Sequence, residues 1–225
     1  MNGVLTRIKM WFGKAHRFEV LDRWMKKPGI TVLDIGCGGS SPQRTKAYFP
    51  ECRYYGIDLN DETLQQSDFD VAEMIVFQNL ETDFPPPEYQ DRRFSVIILN
   101  HVIEHIASSD ELMRRAAGLL EPGGVLYIEC PAPRSIHLPS MAGTLNFHDD
   151  PTHIRLWPLE EITAILTKGG LEIRQARTRR SLKQILLLPI FLLRDWQMNR
   201  APAHTFWDIT GFAHYVLAER PVAKS

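Results

Sequence analysis

The stretch Ile30-Thr31-Val32-Leu33-Asp34-Ile35-Gly36-Cys37-Gly38-Gly39 restricts the fold more than any other part of the chain. Ile30 to Ile35 reads as a short buried strand that runs straight into a glycine-rich turn, and a helix pattern through Arg44 to Phe49 follows. Glycine there lets the backbone approach a ligand closely, and the helix N-terminus beyond it favours a negative group. The same alternation then repeats. Tyr54 to Ile57 gives a second strand ending at Asp58, Met74 to Phe77 a third, and Phe94 to Leu99 the clearest buried run of all. Ser108, with Glu111 three residues later, has the pattern of a capping box opening a helix with an apolar face of Leu112, Ala116, Leu119 and Leu120. Pro122-Gly123-Gly124 is expected to end that helix before a fifth strand, Val125 to Cys130. Strands alternating with helices at this spacing imply a parallel sheet covered on both faces.

The flanks read differently. Leu5, Ile8, Trp11 or Phe12, Phe18, Leu21 and Trp24 recur at near-helical spacing before Pro28-Gly29, which predicts an N-terminal helical segment over 1–29. Pro85-Pro86-Pro87 forbids a helix or a central strand at that point. Residues 131–158 form a long irregular stretch rich in Pro, His and Asp. A helix, Leu159 to Lys168, meets Gly169-Gly170 at its end. Leu171 to Ala176 and His214 to Glu219 read as a closing strand pair, separated by an insertion over about 178–211. A chain of 225 residues can bury one full core, so 30–225 is expected to be a single α/β domain.

Composition removes several classes of function. Lys and Arg total 26 against 27 Asp and Glu, and a net charge of −1 argues against broad binding to a nucleic-acid backbone; no DNA partner is expected. Cys37, Cys52 and Cys130 are scattered and form no CxxC, which suits reduced thiols and a cytoplasmic location. The basic N-terminus lacks the apolar run of a secretory signal. The longest apolar run, Ile185 to Leu193, is too short for the roughly 20 residues of a membrane span. The expectation is a soluble protein with at most peripheral membrane contact.

Asp58 at the tip of the second strand can accept hydrogen bonds from both hydroxyls of a ribose. The glycine pattern departs from the dinucleotide fingerprint GxGxxG, because Ser41 stands at the third glycine position. Asp34, two places before the first glycine, would sit poorly beside a pyrophosphate and well beside the ammonium of a methionine moiety. Together these features favour S-adenosylmethionine (SAM) over NAD.

From Ile30 to Arg220 the sequence resembles the class I SAM-dependent methyltransferases, whose first strand ends in an LDIGCG-like motif. That resemblance implies a Rossmann-like three-layer sandwich around a mostly parallel seven-stranded sheet with an antiparallel last strand. It also implies that Asp34, Gly36 and Gly38 line the methionine end, Asp58 and Leu59 the ribose, and Asn79 and Leu80 the adenine. The family more often has Asp where Asn79 stands. Asn100-His101-Val102-Ile103-Glu104-His105 resembles the segment after strand four, which adds Asn100 to the cofactor residues. Plainer alternatives remain for each: a tight turn without a ligand, Asp58 as a helix cap, Asn79 as a loop amide, Cys37 as a packing residue.

Methyl transfer from a sulfonium leaves the protein two tasks, aligning the acceptor and helping to remove its proton. Histidine suits the second near neutral pH. Residues 146–155 resemble an acceptor-site region in sugar, polysaccharide and quinone-precursor methyltransferases, which makes His153 the first candidate base, with His105 the second. Arg155 is a candidate anion anchor or an ordinary exposed ion pair. His101-Val102-Ile103-Glu104-His105 also matches the inverted zinc-protease motif, but it directly follows a buried strand inside the cofactor pattern, so no metal is expected. A related E-x-x-E-H segment binds a divalent metal in some methyltransferases, and His101 replaces its first glutamate. Three classes follow: a small-molecule, sugar or glycolipid O-methyltransferase; an RNA or protein methyltransferase; and a non-catalytic SAM-binding protein.

Overall fold

The computed structural model describes residues 13–82 and 84–222. The expected helical positions Leu5, Ile8, Trp11 and Phe12 lie outside the described residues. The remaining apolar positions of that pattern form α1 (His16–Met25), which buries Phe18, Leu21 and Trp24.

The sheet elements follow in order: β1 (Thr31–Ile35), α2 (Ser41–Tyr48), β2 (Arg53–Asp58), α3 (Gln66–Phe69), β3 (Met74–Phe77), β4 (Phe94–Asn100), α4 (Ser109–Gly118), β5 (Leu120–Pro131), α5 (Leu159–Lys168) and β6 (Glu172–Thr178). The insertion forms α6 (Leu182–Leu186), α7 (Leu188–Gln197) and α8 (Ala203–Thr210), and β7 (Ala213–Glu219) closes the sheet. Seven strands lie in the order β3-β2-β1-β4-β5-β7-β6, with β7 antiparallel to both neighbours. The expected Rossmann-like architecture is the observed one. The order reverses between β1 and β4, which opens a crevice at the carboxyl ends of these strands.

Why the strands were readable is plain from their burial. Val96, Ile97, Ile98 and Leu99 are fully buried, because a parallel strand is covered on both faces. Alternate residues feed two cores. Leu33, Ile35, Ile97 and Leu99 join α4 and α5 side chains, whereas Val32, Tyr54, Val96 and Ile98 join α1. A third, small cluster of Leu145, Ala203, Trp207, Phe212 and Ala213 belongs to the insertion and the irregular stretch.

Two expectations need correction. Ser108 precedes α4, but its side chain makes no capping hydrogen bond. Glu111 instead turns outward to Arg114 and Arg115, and the neighbouring Ser109 hydroxyl donates to the carbonyls of Ile103 and Ile106, both at 2.7 Å. The helix ends at Gly118, and Pro122-Gly123-Gly124 lies within β5, where the pairing with β4 shifts register. Pro189 does not kink a helix. It sits in the first turn of α7, where its missing N–H has no intrahelical partner to lose.

Candidate active site

The turn after β1 is held from the tip of β2. Asp58 accepts the Gly38 N–H at 2.6 Å through one carboxylate oxygen and the Leu59 N–H at 2.8 Å through the other. The glycines divide the work. A Cβ on Gly36, at φ +68°, would stand 2.5 Å from Val102 Cγ2, and one on Gly39 would stand 2.0 Å from the Thr63 carbonyl oxygen. Gly38, at φ +58°, would meet nothing within 4 Å. Its open side forms a cradle beside the Asp58 carboxylate, and the exposed Leu59 stands next to it. These groups fit an adenosyl cofactor: backbone open to close approach, a carboxylate at ribose position and an apolar flank.

The other expected cofactor residues are placed as follows. Asp34 is buried beneath the turn and accepts from the hydroxyls of Ser41 (2.6 Å) and Tyr54 (2.8 Å). Burial raises its pKa, opposed by the nearby Arg17 and those two hydroxyls. Asn79 Oδ1 accepts the Glu81 N–H at 3.0 Å, and Leu80 packs against the core. Asn100 ends β4 at the crevice.

Beyond Asn100 lies a cavity of about 810 Å³, bounded by Asn100, His101 and Glu129 at the ends of β4 and β5. The start of α2 contributes Ser40 and Arg44, the segment before α1 contributes Lys14, and α7 and α8 contribute Arg194, His204 and Trp207. His101 has a left-handed backbone, φ +57°, unusual for a residue with a side chain. Its Nδ1 faces Glu104 Oε1 at 3.0 Å and its Nε2 faces Glu129 Oε1 at 3.3 Å, while its ring packs against Trp207. Burial works against its charge, but the two carboxylates overcome that and raise its pKa to about 9. Glu129 is held well below the carboxylate range. Burial opposes this too, but the Arg179 charge, at 2.8 Å, and the hydrogen bond from His101 prevail.

His204 has the opposite character. Enclosure by protein lowers its pKa first, and the charges of His101 and Arg179 lower it further, so its ring is neutral at pH 7. It lines the cavity with its ring centroid 4.3 Å from that of Trp207.

The two histidines favoured from sequence come together, with ring centroids 4.8 Å apart, but neither lines this cavity. His153 Nδ1 donates to the Phe147 carbonyl at 2.7 Å and its Nε2 faces Asp150 Oδ2 at 3.9 Å, whereas His105 Nδ1 is 2.9 Å from the Thr152 hydroxyl. With Glu104 they form a group whose possible ligand atoms lie within 4.8 Å of one another, which could hold a metal ion. Arg155 pairs with Glu161 and lies over the Trp157 ring.

Glu129 and His204 were missed from sequence. Glu129 carried a usable signal, a charge within the apolar run Val125 to Cys130. His204 carried none, since only the fold brings it there, and Arg179 was legible only as one of the basic residues before the apolar run of the insertion.

A family profile described as "Methyltransferase domain" matches residues 13–176. A ubiquinone biosynthesis O-methyltransferase of Caulobacter vibrioides is 30% identical over 109 residues, covering 44% of this chain and 40% of that protein. The 27-O-demethylrifamycin SV methyltransferase of Amycolatopsis mediterranei is 26% identical over 163 residues, covering 67% and 57% of the two chains. The chain thus spans about half or less of these relatives' length. An S-adenosylmethionine dependent methyltransferase structure from Mesorhizobium loti superposes with a TM-score of 0.65 at 14% identity, covering 93% of this chain and 100% of that one.

Proposed function

The chain belongs to the class I SAM-dependent methyltransferases, and we propose that it methylates an oxygen of a small-molecule, sugar or glycolipid acceptor seated in the cavity beside Asn100. The carrying observation is the place and size of that cavity. It lies at the ends of β4 and β5, next to the crevice, and its volume of about 810 Å³ suits a small ligand.

When bound, SAM supplies the methyl group on a sulfonium. Asp58 and the Gly38 turn hold its adenosyl end in this reading, and Asn100 lies between that end and the cavity. His204 accepts the proton of the acceptor hydroxyl on an imidazole nitrogen, being neutral where His101 is not. His101, fixed between two carboxylates, serves as a fixed positive charge instead of a base. The His105–His153 pair supports a second reading of the base: each ring is fixed through Nδ1, and His153 Nε2 has the Asp150 carboxylate at 3.9 Å to stabilise a proton taken there.

The insertion also favours acceptors delivered at a lipid surface. Leu182, Leu186 and Trp196 are 75%, 78% and 78% exposed, and Ile190 and Leu193 more than half exposed. Among the described residues no helix is long and apolar enough to cross a membrane, so any such contact is peripheral.

Turnover of labelled SAM against soluble glycans, quinone precursors, glycolipids and RNA tests the proposal. Label entering only RNA or protein overturns the acceptor class, and binding of SAM without turnover on any of them leaves a non-catalytic role.

A further inference from the structure

We propose that the cavity recognises its acceptor through an anionic group, a phosphate or a carboxylate, held among Arg17, Arg44 and Arg200. The inference rests on the reading that this cavity takes the acceptor.

The cavity is cationic in a chain whose net charge is −1. Among the described residues, six lysines and arginines line it against one carboxylate, Glu129. Three of the six are already answered. Arg179 bonds Glu129 at 2.8 Å and Asp208 at 3.0 Å, Arg194 bonds Asp195 at 2.8 Å, and Lys14 pairs with Asp22. Glu129 has no charge to spare, since His101 shares Oε1 with Arg179, and Oε2 accepts from the Tyr127 hydroxyl and faces His16.

The other three lack a carboxylate within salt-bridge distance among the described residues. Arg17 acts on the buried Asp34 and donates one N–H to the Ser41 hydroxyl at 2.8 Å, which itself bonds Asp34, so Asp34 answers its charge only at a distance; its Nε–H is buried with no partner among the described residues. Arg44, one turn along α2, feels the Arg17 charge: desolvation and that like charge both lower its pKa. Arg200 is near enough to Asp195 to influence it but makes no ion pair. His204 registers the same field, lowered by His101, Arg179 and Arg44 after its own enclosure.

Like charges gathered in a partly enclosed space repel, and the repulsion grows as water is excluded. A bound anion reverses its sign. Guanidinium groups suit the task, because their planar forks match the paired oxygens of a carboxylate or phosphate. The buried Nε–H of Arg17 is a donor that meets no acceptor among the described residues. An incoming oxyanion would supply one.

The test titrates glucose, glucuronate and glucose 6-phosphate into protein loaded with S-adenosylhomocysteine at low salt, by calorimetry. These probes share a ring and differ in charge. At least one anion is expected to bind about tenfold or more tighter than glucose, with affinity falling as salt rises. Arg44→Gln and Arg200→Gln should each weaken it by roughly tenfold to a hundredfold, the effect of one charge-assisted hydrogen bond, with melting curves confirming that both variants fold. Phosphate preferred over carboxylate assigns the acceptor to phosphomonoesters; the reverse assigns it to carboxylates. Glucose binding as well as both anions, or anion affinity unmoved by either substitution, overturns the proposal. A fall in S-adenosylhomocysteine affinity equal to the loss of anion affinity also overturns it, because the arginines would then serve the cofactor. If S-adenosylhomocysteine itself does not bind, the cofactor reading fails separately, and the anion titration is repeated on the unloaded protein with the same criteria.

Discussion

The two halves of the sheet solve different problems with different materials. On the β1–β3 side, the turn is preset by short-range geometry: Asp58 anchors Gly38, and Gly36 and Gly39 fit where no Cβ could. Its polar groups answer one another within about twenty residues of chain. The cavity at the ends of β4 and β5 is assembled from separate segments, Lys14, Arg17, Arg44, Glu129, Arg179, Arg200 and His204, and of its cations Arg17, Arg44 and Arg200 lack a carboxylate within salt-bridge distance among the described residues. Under the proposed reading the first half holds the cofactor, and the second, with cations left without a carboxylate, receives an anionic acceptor.

The sharpest test of that contrast is turnover. His204→Ala should lower turnover by roughly 10²–10⁴-fold with cofactor affinity nearly unchanged. The wild-type acid limb should fall below pH 6.5, since the lowered pKa of His204 means its proton is bound only at lower pH. His153→Ala, assayed in parallel, decides between the two proposed bases: a loss confined to His153→Ala moves the chemistry out of the cavity.

Asp58→Ala comes next. It removes the proposed ribose contacts and also both backbone bonds that set the turn, so SAM affinity by calorimetry should drop roughly a hundredfold or more, at about 1.5–3 kcal/mol for each charge-assisted bond. An unchanged affinity would break the claim that this half is the cofactor half. Gly36→Ala tests the turn's sterics without touching a charge. The left-handed φ and the contact with Val102 should cost about 2–4 kcal/mol in denaturant unfolding.

A smaller effect concerns pH. The folded protein keeps His101 protonated to about pH 9, whereas its usual value is 6.5. The stabilisation is therefore whole below pH 6.5 and lost as the pH rises to about 9, by on the order of 2–3 kcal/mol. Glu104 and Glu129 both act on this ring, and His101→Gln should flatten the dependence in melts taken across that range. The smallest effect is membrane contact. Leu186→Glu with Trp196→Glu should reduce co-sedimentation with vesicles several-fold, at about 1.5–3 kcal/mol for each apolar side chain that leaves the lipid. Equal sedimentation of both proteins would leave the apolar face unexplained by lipid.

The same division decides what could be read from sequence. β3 and α5 match their expected limits, and β1, β2, β4 and β7 fall within a residue of theirs, because buried strands and one-faced helices write their burial into contiguous residues. Asp58 and the glycines were legible for the same reason. The capping box at Ser108 was not, since two residues with the right spacing can each find a better partner, as Glu111 does with Arg114 and Arg115. His204 was invisible. Nothing in its neighbours along the chain tells that Arg179 and His101 will face it.

The antiparallel seventh strand has an effect on how such a protein can change. Because β7 runs against its neighbours, β6 leaves the sheet and β7 returns to it at the edge where the parallel strands end. Helices α6 to α8 hang from that hairpin and carry a small core of their own, with Leu145, Ala203, Trp207 and Phe212. Residues can be added to or removed from this loop with neither register nor strand order disturbed, at only a slowly rising entropic cost of loop closure. The hairpin is a socket: a lineage can exchange what is plugged into it, and so trade one acceptor for another, while inheriting the cofactor half intact.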